Sequence, residues 1–107
     1  MRTLRFIVNN QTVTQDPNCD FTGLVPGSDG YLQAEFVLPS SWKNGTIVAS
    51  FWSALGKEYE PQMVRADGKC NIPAEALTKR IFKVQLIGIG KDGKRMKTNK
   101  VIVTQNG

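Results

Sequence analysis

A two-layer, all-β sandwich of about seven antiparallel strands, with one or two single-turn helices, is the fold that three features of this 107-residue chain predict. The longer apolar segments alternate with period two instead of 3.6, which puts every second side chain on one face of a strand. Turn dipeptides recur along the whole length: Pro26-Gly27, Asp29-Gly30, Asn44-Gly45, Asp67-Gly68 and Asp92-Gly93. Asn-Gly and Asp-Gly tolerate the positive φ of tight hairpins. The length itself fits one domain spanning 1–107, since domains peak at roughly 100 to 150 residues.

Taken in order, TLRFIV near the start is a weak strand. YLQAEFVL is the clearest one, with Leu32, Ala34, Phe36 and Leu38 facing one way and Gln33 and Glu35 the other. In TIVASFWSA both alternating sets are mostly apolar or small, so that strand is central or covered on both faces. EYEPQMVR contains Pro61, which lacks an N–H and restricts the segment to an edge or bulged strand. KCNI, RIFKVQLIG and KVIVTQ complete the set. LPSSW and IPAEAL each place a proline ahead of small or acidic residues and a large apolar one. That order suits a single helical turn dropping Trp42 or Leu77 onto the core. The units around Asp29-Gly30 to Lys57 and Asp67-Gly68 to Lys91 also align weakly, as a duplication or as two similar strand-turn-strand units.

The composition excludes several chemistries. The chain has no histidine, which removes Ser-His and Cys-His nucleophilic sites and the side chain best suited to proton transfer near neutral pH. Two cysteines, Cys19 and Cys70, without CxxC spacing do not make a structural zinc site; they are either free thiols or one disulfide. Glu58 and Glu60 are about 7 Å apart on one strand face, but a domain of this size builds no deep cleft, so they read as a charged outer edge. Asp16, Asp20 and Asp29 lack the DxDxDG spacing of a calcium loop. The expectation is a non-enzymatic protein with no catalytic residue, no cofactor and no metal. No run approaches the ~18 apolar residues of a membrane helix, and MRTLRFIVNN is too short in apolar residues for a secretory signal.

Charge is uneven. Residues 1–53 carry Arg2, Arg5 and Lys43 against Asp16, Asp20, Asp29 and Glu35, a net of −1; residues 54–107 carry 11 basic against 5 acidic residues, a net of +6. Such asymmetry points to an anionic partner or to a well-solvated surface. Much of the excess lies in GIGKDGKRMKTNK, which also contains Gly88-x-x-x-x-Gly93-Lys94, the frame of a phosphate-binding loop short of its last residue. Arg95 stands where such a loop needs Ser or Thr, and the following RMKTNKVIVTQ reads as strand where a helix is required. The segment is therefore expected to be a β-hairpin tipped by Asp92-Gly93. Lys91, Lys94, Arg95, Lys97 and Lys100 make it basic. Nucleic acid is disfavoured as its partner because the 91–100 hairpin carries no aromatic residue to stack a base. Trp52, Tyr59 and Tyr31 are the aromatics that could serve as exposed contacts.

From Tyr31 onward the order of features resembles a family of small modules in virion proteins of tailed bacteriophages. The matching stretches are Phe36 to Trp42, Gly45 to Phe51, Asp67 to Leu77 (DGKCNIPAEAL), Val84 to Arg95, and Thr98-Asn99. The resemblance implies an immunoglobulin-like β-sandwich near the N-terminus of a head-fibre, capsid-decoration, baseplate or tail-fibre protein. It also implies a docking role toward other virion proteins, symmetric assembly as a homo-oligomer, and location in a virion assembled in the host cytoplasm, where both cysteines stay reduced. Lys91, Lys94, Arg95, Lys97, Trp52 and Tyr59 are the candidate partner contacts. Two other roles remain open: a host-attachment module binding surface carbohydrate through Trp52, Tyr31 and Tyr59, and a small nucleic-acid binder or inhibitor using the basic hairpin. The ending Gln105-Asn106-Gly107 suits both a complete chain and an N-terminal piece of a longer one.

Overall fold

Alternation in the first thirty-seven residues builds three strands of one sheet, and the stretch from Gly45 onward builds the other sheet and the fourth strand of the first. In the structure, a computed structural model that describes residues 1–43 and 45–105, nine strands form: β1 (Arg2–Asn9), β2 (Thr12–Gln15), β3 (Leu32–Val37), β4 (Gly45–Ser53), β5 (Gln62–Met63), β6 (Lys69–Asn71), β7 (Ile81–Gly90), β8 (Arg95–Lys97) and β9 (Val101–Thr104). One sheet has the order β2-β1-β3-β6. The other has the order β5-β4-β7, with β8 and β9 sharing the far edge of β7. The fold is an all-β sandwich, as the alternation predicts.

The two inner faces meet in a single core. Leu4, Phe6, Val8, Ala34, Phe36 and Cys70 come from the first sheet; Ile47, Ala49, Phe51, Phe82, Val84, Leu86 and Val103 come from the second. Phe6 stacks on Phe36 with ring centroids 5.4 Å apart, a contact made in register because the two residues are paired neighbours. Each such buried ring contributes roughly 2 to 3 kcal/mol relative to an exposed one. Both single-turn helices form. Ser40–Trp42 is a 3₁₀ turn preceded by Pro39, and α1 (Ala74–Leu77) is preceded by Pro73; they bury Trp42 and Leu77 respectively.

Three details differ from the expectation. First, β1 and β3 pair in parallel, so the sandwich is antiparallel at every other pairing but not there. The long connection from Asp16 to Tyr31 carries the chain back to the end of β1 from which it started, so β3 must run the same way. Second, β2 was not foreseen. Asn10 adopts φ of 55°, a conformation Asn tolerates, and the Asn10-Gln11 turn folds β2 onto β1. Third, the last strand is split. Lys97 pairs with Ile87 and Val101 with Val84, so three residues on one side face two on the other. This one-residue bulge at Thr98–Lys100 separates β8 from β9 and raises the count from about seven strands to nine. Its vacancy in the ladder is filled by Thr98, whose N–H donates to the Leu86 carbonyl and whose hydroxyl accepts from the Leu86 N–H.

A similar bulge answers Pro61. Tyr59 donates to the Phe51 carbonyl and Glu58 bridges Trp52, whereas Met63 pairs with Val48, leaving one extra residue at Glu60–Pro61 and only two residues for β5. Cys19 and Cys70 are free thiols. Cys70 is fully buried on β6, and that burial pushes its thiol up to about 12. The expected turn at Asn44-Gly45 includes Asn44, which lies outside the described residues.

Candidate docking surface: the basic hairpin and the five-stranded sheet

The GIGKDGKRMKTNK segment folds as strand, turn and strand. Gly90 donates to the Lys94 carbonyl at 2.8 Å and Gly93 to the Gly90 carbonyl at 3.0 Å, closing the loop that carries Lys91, Asp92 and Gly93. Gly93 has φ of +83°, the left-handed residue that a hairpin of this kind needs at its third loop position. The Asp92 carboxylate accepts the Lys94 N–H at 3.0 Å and so fixes the turn from inside. No helix follows, so the backbone amides of Gly88 to Lys94 do not form a phosphate cradle.

Lys91, Lys94 and Arg95 project from this hairpin into solvent. Asp92 is the acid nearest them, and its carboxylate lies 3.8 Å from the Lys94 ammonium. At the base of the hairpin is an open groove of about 650 Å³, lined by Trp42, Gly45, Gly88 and Gly90 as well as by Lys94 and Arg95. Glycine is required in its wall. A Cβ on Gly88 would stand 3.0 Å from the Trp42 ring, and one on Gly45 would strike the Ile89 carbonyl oxygen. Trp42 can therefore lie flat on β7, and its indole N–H donates to the Asn10 carbonyl at 2.7 Å, tying the 3₁₀ turn to the β1–β2 turn.

Lys97 sits elsewhere, on the outer face of the five-stranded sheet. The register places Met63, Val48, Ile87 and Lys97 in one row across that face, with Thr46, Ile89 and Arg95 in the row above. Two rows below stand Trp52, Lys83 and Ile102. Met63 and Ile102 are exposed, and Val48, Ile87, Ile89 and Trp52 are half-buried. Among the described residues, two buried polar atoms of this face, Ser50 Oγ and Trp52 Nε1, have no hydrogen-bond partner.

The other sheet shows the opposite outer face. Arg5 binds Glu35 at 3.0 Å and Asp16 at 3.5 Å, and Gln33 donates to the Thr3 hydroxyl at 2.8 Å. The Glu35 hydrogen bond is the main reason the Arg5 guanidinium is held above its usual range. That face satisfies its own polar groups, as a water-facing sheet does. The β4–β7 face instead leaves apolar side chains bare and donors unpaired.

The aromatic candidates are redistributed. Tyr59, expected as a partner contact, is 6% exposed, because the turn at Ser53–Lys57 folds the chain back on β4 and the alternation turns Tyr59 inward between outward Glu58 and Glu60. Trp52 points outward, yet the Lys100 ammonium lies 3.6 Å above its ring centre. Tyr31 remains 55% exposed, on the loop before β3 in the opposite sheet. The three rings therefore do not form a common platform.

Two features of the outer face have only weak signals in the sequence. Lys83 is central to the outer face, and its signal was the same alternation that placed Phe82 and Val84 inside. The apolar row Met63-Val48-Ile87 was visible only as the two-sided apolar character of TIVASFWSA. Among the described residues no three potential metal ligands cluster, and no helix is long and apolar enough to cross a membrane. No family model, no curated protein and no solved structure matches the chain.

Proposed function

We propose that this chain is an immunoglobulin-like docking module of a tailed-bacteriophage virion, anchoring a fibre or decoration to capsid or tail proteins without catalysing a reaction. The observation that carries the reading is the hairpin end of the sandwich. Three solvent-exposed cations, Lys91, Lys94 and Arg95, stand on a tightly hydrogen-bonded turn beside a groove walled by Trp42 and glycine backbone. A rigid basic prong next to a shallow recess suits an acidic protein surface, where complementary charge speeds encounter and fixes orientation.

The phage setting rests on the resemblance of the stretches from Phe36 to Asn99, the sharpest being Asp67 to Leu77. In the fold this stretch is one unit, a turn at Asp67-Gly68 leading into β6 and then α1. Mass spectrometry of purified particles from the encoding phage tests the reading. The chain is expected among the structural proteins at an integer copy number per particle, and its absence from the particles refutes the assignment. The carbohydrate reading loses its main support with Tyr59 inside the core and Trp52 beneath Lys100.

A further inference from the structure

Strand β8 ends the hairpin at an open edge. Across the β7–β8 ladder the Gly90 N–H donates to the Lys94 carbonyl and the Thr98 N–H to the Leu86 carbonyl. In an antiparallel pair such bonded residues alternate with residues whose N–H and carbonyl point away from the partner strand, here Arg95 and Lys97. Side chains of the β1–β2 hairpin close this edge from Lys97 onward: Gln11 donates to the Lys97 carbonyl at 3.2 Å and Gln15 to the Ile102 carbonyl at 2.9 Å. Ahead of that closure, the Arg95 N–H and carbonyl have no hydrogen bond among the described residues. The glycine-walled groove opens on the inner side of the same strand, where Met96 pairs with Gly88.

We propose that the Arg95 edge accepts an acidic, extended segment of a partner protein as one more antiparallel strand, with an apolar side chain of that segment seated in the groove. The proposal deepens the docking reading above and rests on it. Antiparallel pairing suits the opening, because a single partner residue then exchanges both hydrogen bonds with Arg95. Alternation fixes the pattern that is recognised. The residue paired with Arg95 shares its face of the sheet, so an acid there meets the guanidinium. The residue before it pairs with Met96 and points into the groove; the residue after it pairs with Lys94. The order is therefore apolar, acidic, acidic.

Charge selects this occupant over two others. Between residues 91 and 97, Lys91, Lys94, Arg95 and Lys97 outnumber Asp92 four to one, and all four cations are exposed. A second copy joined edge to edge about a two-fold axis at Arg95 would set Arg95 opposite the second copy's Arg95, and like charges directly opposite destabilise a strand pair. A nucleic-acid strand satisfies the cations, but its phosphate oxygens cannot donate to the Arg95 carbonyl. Trp42, 3% exposed, also offers no free face for a base to stack on.

An NMR titration of the nitrogen-15-labelled chain tests this, the probe being a short capped peptide that reads serine, leucine and then four aspartates. Saturable binding with Kd on the order of 0.1 to 1 mM is expected, with the Arg95 amide among the most shifted. N-methylation of the first aspartate, the residue set against Arg95, removes a bonded N–H and should weaken binding at least about tenfold. N-methylation of the leucine or of the second aspartate, whose N–H groups point away, should change it less than about twofold. Charge attraction alone would not distinguish these positions. An unshifted Arg95 amide at about 2 mM peptide, equal tolerance of N-methylation at all three positions, or tighter binding of an oligothymidylate of equal charge overturns the proposal. Particles that release the domain on hairpin charge reversal while N-methylation has no effect would refute the added strand and leave the docking role. The alternating response with particles indifferent to that reversal would refute the docking role and leave the strand site.

Discussion

The side-chain amide of Asn99 bonds both backbone groups of Val13: its oxygen accepts the Val13 N–H at 2.7 Å and its nitrogen donates to the Val13 carbonyl at 3.1 Å. One residue of the bulge between β8 and β9 thereby acts as a strand along the free edge of β2. Gln11 and Gln15 donate to the Lys97 and Ile102 carbonyls and extend the same seam. A bare edge of this kind invites pairing with another chain. Asn99→Ala is expected to destabilise the fold by about 1 to 3 kcal/mol, since it orphans a donor and an acceptor together. Thermal unfolding would register this as a fall of roughly 4 to 8 °C per kcal/mol, and an unchanged midpoint would refute the role assigned to the amide.

Gly88→Ala tests the groove wall. The added methyl would lie 3.0 Å from the Trp42 ring, and the indole is held on its other side by the bond to Asn10. The expected cost is about 1 to 3 kcal/mol with a changed near-ultraviolet circular dichroism from Trp42, as overpacking shifts the ring. A fully stable variant with an unaltered aromatic signal contradicts this packing.

Cys70 makes a prediction about pH. Burial disfavours the thiolate in the folded state, raising the group from 9.0 to about 12, with a small opposing effect of Arg65. The unfolded chain therefore loses this proton first as pH rises. The stabilisation is complete below pH 9 and is lost between pH 9 and 12, at up to about 1.4 kcal/mol per pH unit. Urea titrations of the chain and of Cys70→Val should diverge over that window, the valine variant falling less steeply. Parallel curves would show that the thiol does not ionise on unfolding. In the native state Cys70 should also resist alkylation at pH 8 until the protein unfolds.

Lys100 covers Trp52 from outside. In dilute protein, Lys100→Ala is expected to raise collisional quenching of Trp52 fluorescence by acrylamide, with Trp42 replaced by Phe to leave one emitter. The stability cost should stay below about 1 kcal/mol, the usual scale of a cation–π contact at an exposed site. Unaltered quenching would mean that other neighbours shield the ring.

How much of this was readable beforehand depends on whether the signal was local. The strand faces of Leu32 to Leu38 and Phe82 to Leu86 follow from alternation alone, because a half-buried strand imposes period two on its own residues. The turns at Asp67-Gly68 and Asp92-Gly93, and the helical turns after Pro39 and Pro73, follow from backbone preferences of single residues. What could not be read is pairing. The parallel alliance of β1 with β3, the bulge that divides β8 from β9, and the seam from Asn99 to Val13 join residues up to 86 positions apart. Tyr59 shows the same limit: its neighbours Glu58 and Glu60 advertise a solvent edge, yet the alternation that exposes them buries the ring. The basic character of the hairpin was plain in the sequence, but not that Lys97 leaves its tip and joins an apolar row with Met63.

The central claim is that the hairpin end holds the chain to the particle. The most direct measurement is binding of the purified domain to particles, or to their isolated capsid and tail proteins, with Lys91, Lys94 and Arg95 reversed to Glu together. These residues are exposed, and the one ion pair lost, Lys94 with Asp92, is itself exposed, so the fold should persist with a melting temperature lowered only slightly. Loss of three charge contacts predicts an affinity reduced at least about 100-fold, with binding by the unaltered domain weakening as salt is raised. Full-strength binding by the reversed hairpin would contradict the account.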